Sequence, residues 1–62
     1  MIVVANIRTE MVYLTINKAN HQLAFSKNRQ DATEFADDVQ AAIACTVFGL
    51  KFNVANPRVE AS

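Results

Sequence analysis

The chain has few of the residues that usually build catalytic, metal or redox sites. Its 62 residues include one Cys, one His, one Gly and no Trp. One Cys excludes an internal disulfide, and the lack of a Cys/His cluster argues against a structural zinc. A single Gly excludes a Gly-rich phosphate loop. We therefore predict a protein that is not an enzyme and that holds no cofactor and no metal.

The chain also has no excess of charge of either sign and no long apolar run. Six basic and six acidic residues give a formal net charge of zero, which argues against binding a polyanion through bulk electrostatics. The apolar start, residues 1–5, is interrupted by Asn6, Arg8 and Glu10 before it reaches the length of a signal sequence or a membrane span. We expect a soluble cytoplasmic protein with a reduced thiol, no membrane contact and no evident small-molecule substrate.

The length predicts one small domain, residues 1–62, near the lower limit at which a single core offsets the entropy of ordering the backbone. The hydrophobic fraction is 52%, somewhat above the usual value of about 45–50%. Since neither a disulfide nor zinc is at hand, oligomerisation is the remaining way to bury more apolar surface. The composition therefore predicts self-association, most simply as a homo-oligomer.

Alternating apolar residues predict a β-hairpin early in the chain. Residues 11–17 alternate as a half-buried strand, residues 18–20 supply a polar turn, and residues 21–26 alternate again. Residues 2–8 either extend the first strand or form a separate N-terminal edge strand, because no strong turn dipeptide separates them from Met11.

A helix is predicted after the hairpin. Asp31 and Glu34 have the spacing of an N-cap and its reciprocal acid, which places the helix start at Asp31. Gly49 predicts the C-terminal end, since glycine enters the left-handed conformation without strain. The pattern leaves open whether residues 46–48 are helix or belong to the following strand.

The residues after Gly49 change to a period of two. Residues 50–54 alternate and predict a last short strand, and Asn56 with Pro57 predicts a turn into a polar C-terminal tail at residues 57–62. The sequence thus predicts an α+β fold, a small ββαβ domain with an antiparallel sheet of about three strands and one helix packed on one face.

Two apolar stripes run along the predicted helix on opposite sides, at about 100° per residue. The first is expected to face the sheet and comprises Ala32, Phe35, Ala36, Val39, Ala42, Ile43, Thr46 and Val47. The second is the predicted partner or dimer interface and comprises Ala41, Ala44, Cys45 and Phe48. We predict that a second protein chain covers this second stripe.

Two further surfaces are candidates for a partner. Glu34, Asp37 and Asp38 cluster near the helix start, where they either complement the helix dipole or form an acidic docking surface for a basic partner. Tyr13 and Thr15 are predicted on the sheet face opposite the helix, where an exposed Tyr is a common contact anchor.

The sequence favours a small non-enzymatic protein-interaction module, self-associating, that acts as an inhibitor or adaptor on a larger protein. Such small chains are typical of phages and other mobile elements. The alternative is a small nucleic-acid-binding module that places the basic hairpin-loop residues Lys18, Lys27 and Arg29 on phosphates. The neutral charge and the few aromatic residues make nucleic acid the less favoured partner.

Overall fold

A tight antiparallel hairpin forms the centre of the sheet in the computed structural model, which describes residues 1–62. Its strands are β1 (Ile2–Ile7) and β2 (Glu10–Ile16), paired from Ile7 and Glu10 outward. The two-residue loop between them places Arg8 at a φ of 58°, a conformation that usually selects Gly or Asn. Residues 2–8 are therefore a separate strand and the first residue of its turn. The turn residues, Arg8 and Thr9, are not a typical turn dipeptide.

Two more strands complete the sheet. β3 (Leu23–Ser26) pairs antiparallel with β2, and β4 (Ala55–Glu60) pairs antiparallel with β1, so that the order is β3-β2-β1-β4. The predicted fold class, an α+β domain with an antiparallel sheet and one helix on one face, is confirmed. The N-terminal strand lies inside the sheet, where it is covered on both sides, and not at its edge.

The helix is α1 (Asp38–Phe52), and its N-cap lies six residues later than the capping pattern predicts. Its N-cap is Asp37, whose carboxylate accepts a hydrogen bond from the backbone N–H of Gln40 at 2.8 Å. Asp31 instead ends a short 3-10 helix, Arg29–Asp31. The predicted start at Asp31 is therefore wrong.

Backbone pairing with the strands prevents an earlier helix start. The N–H of Thr33 donates to the carbonyl of Leu14 at 3.0 Å, and the N–H of Phe35 donates to the carbonyl of Met1 at 2.7 Å. These donors are satisfied by a carbonyl within β2 and by the carbonyl that precedes β1, and they are not free for a helical turn.

The helix continues past Gly49 and ends at Phe52, with Asn53 as its C-cap. Asn53 adopts the left-handed conformation, with φ at 52°, and donates its backbone N–H to the carbonyl of Gly49 at 3.0 Å. Residues 46–48 are thus helical. The strand predicted at residues 50–54 is wrong, because α1 includes Leu50 to Phe52.

Most of the expected C-terminal tail is strand. Residues 57–60 belong to β4, an edge strand, where Pro57 removes a backbone donor that the edge of the sheet does not need. The pairing with β1 is irregular between Val4 and Asn6, and Asn56 has a φ of 50°. The Asn56-Pro57 turn signal therefore corresponds to an irregularity at the start of an edge strand.

The main core lies between α1 and the sheet. Phe48 is fully buried against Val3, Ala5, Val12 and Leu14. These strand residues share one face of the sheet, since Ala5 pairs directly with Val12.

The connection between β3 and α1 lies against the other face. Ser26 donates a hydrogen bond to Asp31 at 2.7 Å, and Arg29 forms an ion pair with Glu60 at 3.5 Å. Ser26 and Glu60 share a face with Ile2 and Val4, through direct pairing along the sheet. Ile2 and Val4 are buried, so β1 is covered on both sides.

Candidate functional site: the exposed face of the helix

The stripe predicted as an interface faces the sheet. Ala41 and Phe48 are fully buried, and Ala44 and Cys45 are half-buried against the same core. The prediction that Ala41, Ala44, Cys45 and Phe48 form a partner or dimer interface is therefore wrong. The two stripes exist, but their roles are exchanged.

The true bounds of α1 explain the exchange. A helix that starts at Asp38 loses Ala32, Phe35 and Ala36 from the first stripe. A helix that reaches Phe52 adds a second aromatic ring one turn beyond Phe48, with the ring centroids 5.5 Å apart. The face with two Phe rings and several small residues packs closely on the sheet, since it combines apolar bulk with room for close approach.

The outward face of α1 carries a continuous apolar stripe, which we call the outer stripe. Its members are Val39, Ile43, Val47 and Leu50, at spacings of four, four and three residues that keep them on one side of a helix. Their exposed fractions are 67%, 56%, 42% and 82%. Four large apolar side chains in one exposed line are the clearest candidate site on the molecule.

The flanks of the outer stripe carry few charges. Ala42 and Thr46 are exposed on one side, and the hydroxyl of Thr46 donates to the carbonyl of Ala42 at 3.1 Å. Thr46 can therefore lie against an apolar partner with its hydroxyl already satisfied. The Lys51 ammonium, next to Leu50 in the last turn, lies 5.9 Å from the Phe52 ring centroid.

The predicted acidic docking surface is divided. Asp37 and Asp38 lie together at the start of α1, both exposed. Glu34 lies in the preceding connection and accepts hydrogen bonds from the Met1 ammonium at 2.6 Å and from the Ser62 hydroxyl. The bond from the Met1 ammonium, followed by the one from Ser62, holds the pKa of Glu34 below its ordinary value.

Tyr13 and Thr15, the second predicted surface, are only half-exposed. They lie on the sheet face away from α1, as predicted, because Tyr13 pairs directly with Val4 and with Ser26. The connection that carries Asp31 lies against this same face. The sheet face is thus partly occupied by the chain itself, which the sequence pattern did not indicate.

Two of the three predicted phosphate contacts are engaged within the protein. Lys27 forms an ion pair with Glu10 at 2.7 Å, and Arg29 pairs with Glu60 while donating to the carbonyl of Ala61 at 2.8 Å. Lys18 is exposed in the β2–β3 turn. The three cations therefore do not form one free basic patch.

Cys45 and His21 occupy different environments. Cys45 packs against the core, and burial raises the pKa of its thiol, which disfavours the reactive thiolate. His21 is exposed in the β2–β3 turn, at a φ of 58°. No three His, Cys, Asp or Glu side chains are grouped closely enough to hold a metal ion.

A shallow groove at the end of the β1–β2 hairpin is a site that the sequence analysis missed. Its volume is about 520 Å³. Its apolar lining is Ile7, Val12 and Phe25, and its polar lining is Arg8, Thr9, Glu10 and Lys27. These residues come from three strands and two turns, so no local sequence signal could have grouped them.

No helix of the structure has the length and apolar character needed to cross a membrane. Comparison of the chain with protein-family models, curated proteins and solved structures finds no significant match.

Proposed function

We propose that the chain is a small non-enzymatic protein-interaction module that self-associates through the outer stripe of α1. The observation that carries the proposal is the exposure of Val39, Ile43, Val47 and Leu50 along one helix face. Full burial of each such side chain is worth about 1.5–3 kcal/mol. A second copy that covers the stripe recovers part of this free energy in each chain.

The size of the core supports the proposal. Eight of the 62 residues are buried, so the chain has little apolar burial of its own, as expected for its length. Its accessible surface is 4208 Å², near the roughly 4000 Å² expected for a monomer of this mass. The single chain is therefore compact, and it is the identity of its exposed residues, not the size of its surface, that favours a partner.

We extend the proposal to action on a larger protein as an inhibitor or adaptor, of the kind that phages and mobile elements carry. The groove at the hairpin end supports this part, since its apolar lining, Ile7, Val12 and Phe25, includes no residue of the outer stripe. Capture of one defined larger protein from the native host, at a fixed stoichiometry in the mass of the complex, is the expected outcome. A chain that forms only its own oligomer contradicts this part.

The self-association is tested by sedimentation of Ile43→Glu across a range of concentrations. Glu is a better helix former than Ile at an exposed position, so the variant is expected to fold. A charge in the middle of the stripe opposes burial against a partner, and we expect a monomer where the parent chain is a dimer.

The matched control is Gln30→Glu, which adds the same charge at an exposed position in the 3-10 helix. It should sediment as the parent chain does, and circular dichroism should show both variants folded. A parent chain that is monomeric at every concentration would contradict the proposal, and so would a dimer that Ile43→Glu leaves intact.

A further inference from the structure

The outer stripe is close to symmetric along α1. Ile43 and Val47 lie on either side of its midpoint, and Val39 and Leu50 lie at its two ends. A second copy of the helix can therefore match the stripe in either direction. Antiparallel pairing sets Val39 against Leu50 and Ile43 against Val47, whereas parallel pairing sets each residue against its own copy.

The charges at the two ends of α1 distinguish the directions. Asp37 and Asp38 are at the start, and Lys51 is the basic residue of the last turn. All three are exposed, and none forms an ion pair within the chain. Parallel pairing brings like charges together at both ends, whereas antiparallel pairing brings Lys51 of each copy to the acidic start of the other.

The helix dipoles favour the same direction. Two antiparallel helices place the positive end of each dipole beside the negative end of the other, and two parallel helices place like ends together. The sheet packs on the opposite face of α1, where Ala41 and Phe48 are buried. The fold therefore leaves the outer stripe open along its full length.

From this arrangement we infer that the partner on the outer stripe is a second copy of this chain, with its α1 antiparallel and related by a two-fold axis near the middle of the helix. The inference rests on the proposed self-association and adds its orientation and register. Lys51 and the pair Asp37 and Asp38 specify the direction, while the outer stripe supplies the apolar contact.

Cysteine cross-linking tests the orientation in a Cys45→Ala background, which removes the native thiol. One chain carries Val39→Cys and a second carries Leu50→Cys. The two positions are eleven residues apart, or about 16 Å along a helix, while a disulfide requires Cα atoms within about 7 Å. We expect mild oxidation to cross-link the mixture into a heterodimer and to leave each chain alone uncross-linked.

A matched chain with Gln30→Cys, mixed with either partner, should not cross-link, which controls for random collisions. Self-cross-linking of both single-cysteine chains, without preference for the mixture, means a parallel pair and overturns the inference. A protein that sediments as a dimer but forms no cross-link between positions 39 and 50 also overturns the inference. In both cases self-association itself survives, whereas a monomer on sedimentation overturns the proposed function as well.

The substitution Lys51→Gln gives an independent readout of the direction. In an antiparallel pair it removes an attraction to Asp37 or Asp38 of the partner, and the dissociation constant should rise roughly two- to fivefold, the scale of exposed ion pairs. In a parallel pair it removes a repulsion between two lysines, and the dimer should tighten. A tighter dimer would therefore contradict the antiparallel arrangement.

Discussion

Asn53 shows how one residue sets the end of the helix. Its backbone lies in the left-handed region, with φ at 52°, and its N–H closes the last turn on Gly49. Gly49, the expected terminator, lies within the helix and faces Pro57 of β4. A Cβ added there would approach Cγ of Pro57 to 3.0 Å. Glycine serves here for close packing, and asparagine takes the left-handed position that it tolerates better than most residues.

At the residue scale we predict that Asn53→Ala lowers the free energy of unfolding by about 1 kcal/mol, because the left-handed conformation costs an Ala side chain roughly that much. Asn53→Gly should either raise the free energy of unfolding or lower it by less than about 0.5 kcal/mol. Denaturant unfolding measures both.

The control for Asn53 is Asn28→Ala, at a position with extended backbone and no side-chain capping bond. This variant should unfold as the parent does. Equal stability of Asn53→Ala and Asn53→Gly would contradict the left-handed cap.

The helix as an element has two apolar faces of different kinds. The inner face combines Phe48 and Phe52 with the small residues Ala41 and Ala44, and the Phe52 ring also meets Phe25 edge-on at 5.4 Å. The outer stripe consists of branched aliphatic residues with high exposure. Substitutions on the two faces should therefore affect different equilibria, the inner face folding and the outer face association.

At the element scale we predict that Phe48→Leu lowers the free energy of unfolding by about 1–2 kcal/mol, since it removes buried volume from the core. Leu50→Ala, at an exposed position, should change it by less than about 0.5 kcal/mol. Both are measured by thermal unfolding in the Ile43→Glu background, where association does not contribute. A larger loss for Leu50→Ala than for Phe48→Leu would mean that α1 presents its other face to the sheet.

In the molecule as a whole, the connection between β3 and α1 joins the sheet to both ends of the chain, and we call these contacts the closure. This segment lies against one face of the sheet through Arg29 and Asp31. Further along, the N–H of Thr33 bonds to the carbonyl of Leu14 in β2, and the N–H of Phe35 bonds to the carbonyl of Met1, just before β1. Glu34 completes the closure by binding the Met1 ammonium and the Ser62 hydroxyl. Residues from the start, the middle and the end of the chain thus meet at one point.

At the scale of the whole molecule this closure predicts a pH dependence. The pKa of Glu34 is lower in the folded chain than in the unfolded chain. Its contribution to stability is therefore present above the ordinary carboxyl pKa and is lost as the pH falls through the folded value. We expect Glu34→Gln to flatten the acid limb of the unfolding midpoint plotted against pH, at pH values below the ordinary carboxyl pKa.

The companion variant for Glu34 is Ser62→Ala, which keeps the Met1 ammonium as a partner and should flatten the acid limb less. The order follows from the causes of the shift, because the bond from the Met1 ammonium contributes more than the bond from Ser62. An acid limb identical in the parent and in Glu34→Gln would contradict this account.

Local patterns predicted the elements that depend on neighbouring residues. The alternation in residues 11–17 identified β2, and Val12 and Leu14 are buried as expected. The helix bounds were missed because their signals are not local. The backbone of Thr33 bonds to Leu14 and that of Phe35 to Met1, and Pro57 packs against Gly49. Pairing across the fold therefore overrode the capping pattern at Asp31 and the glycine signal at Gly49.

The sequence by itself determined that one helix would carry two apolar faces and that the domain would be a small α+β fold. Periodicity places residues on opposite sides of a helix, but it does not say which side meets the sheet. Only the tertiary structure decided that. The true bounds of α1 place Phe52 beside Phe48, and the helix face that carries these two rings and small residues such as Ala44 packs on the sheet. Val39, Ile43, Val47 and Leu50 remained outside as a consequence.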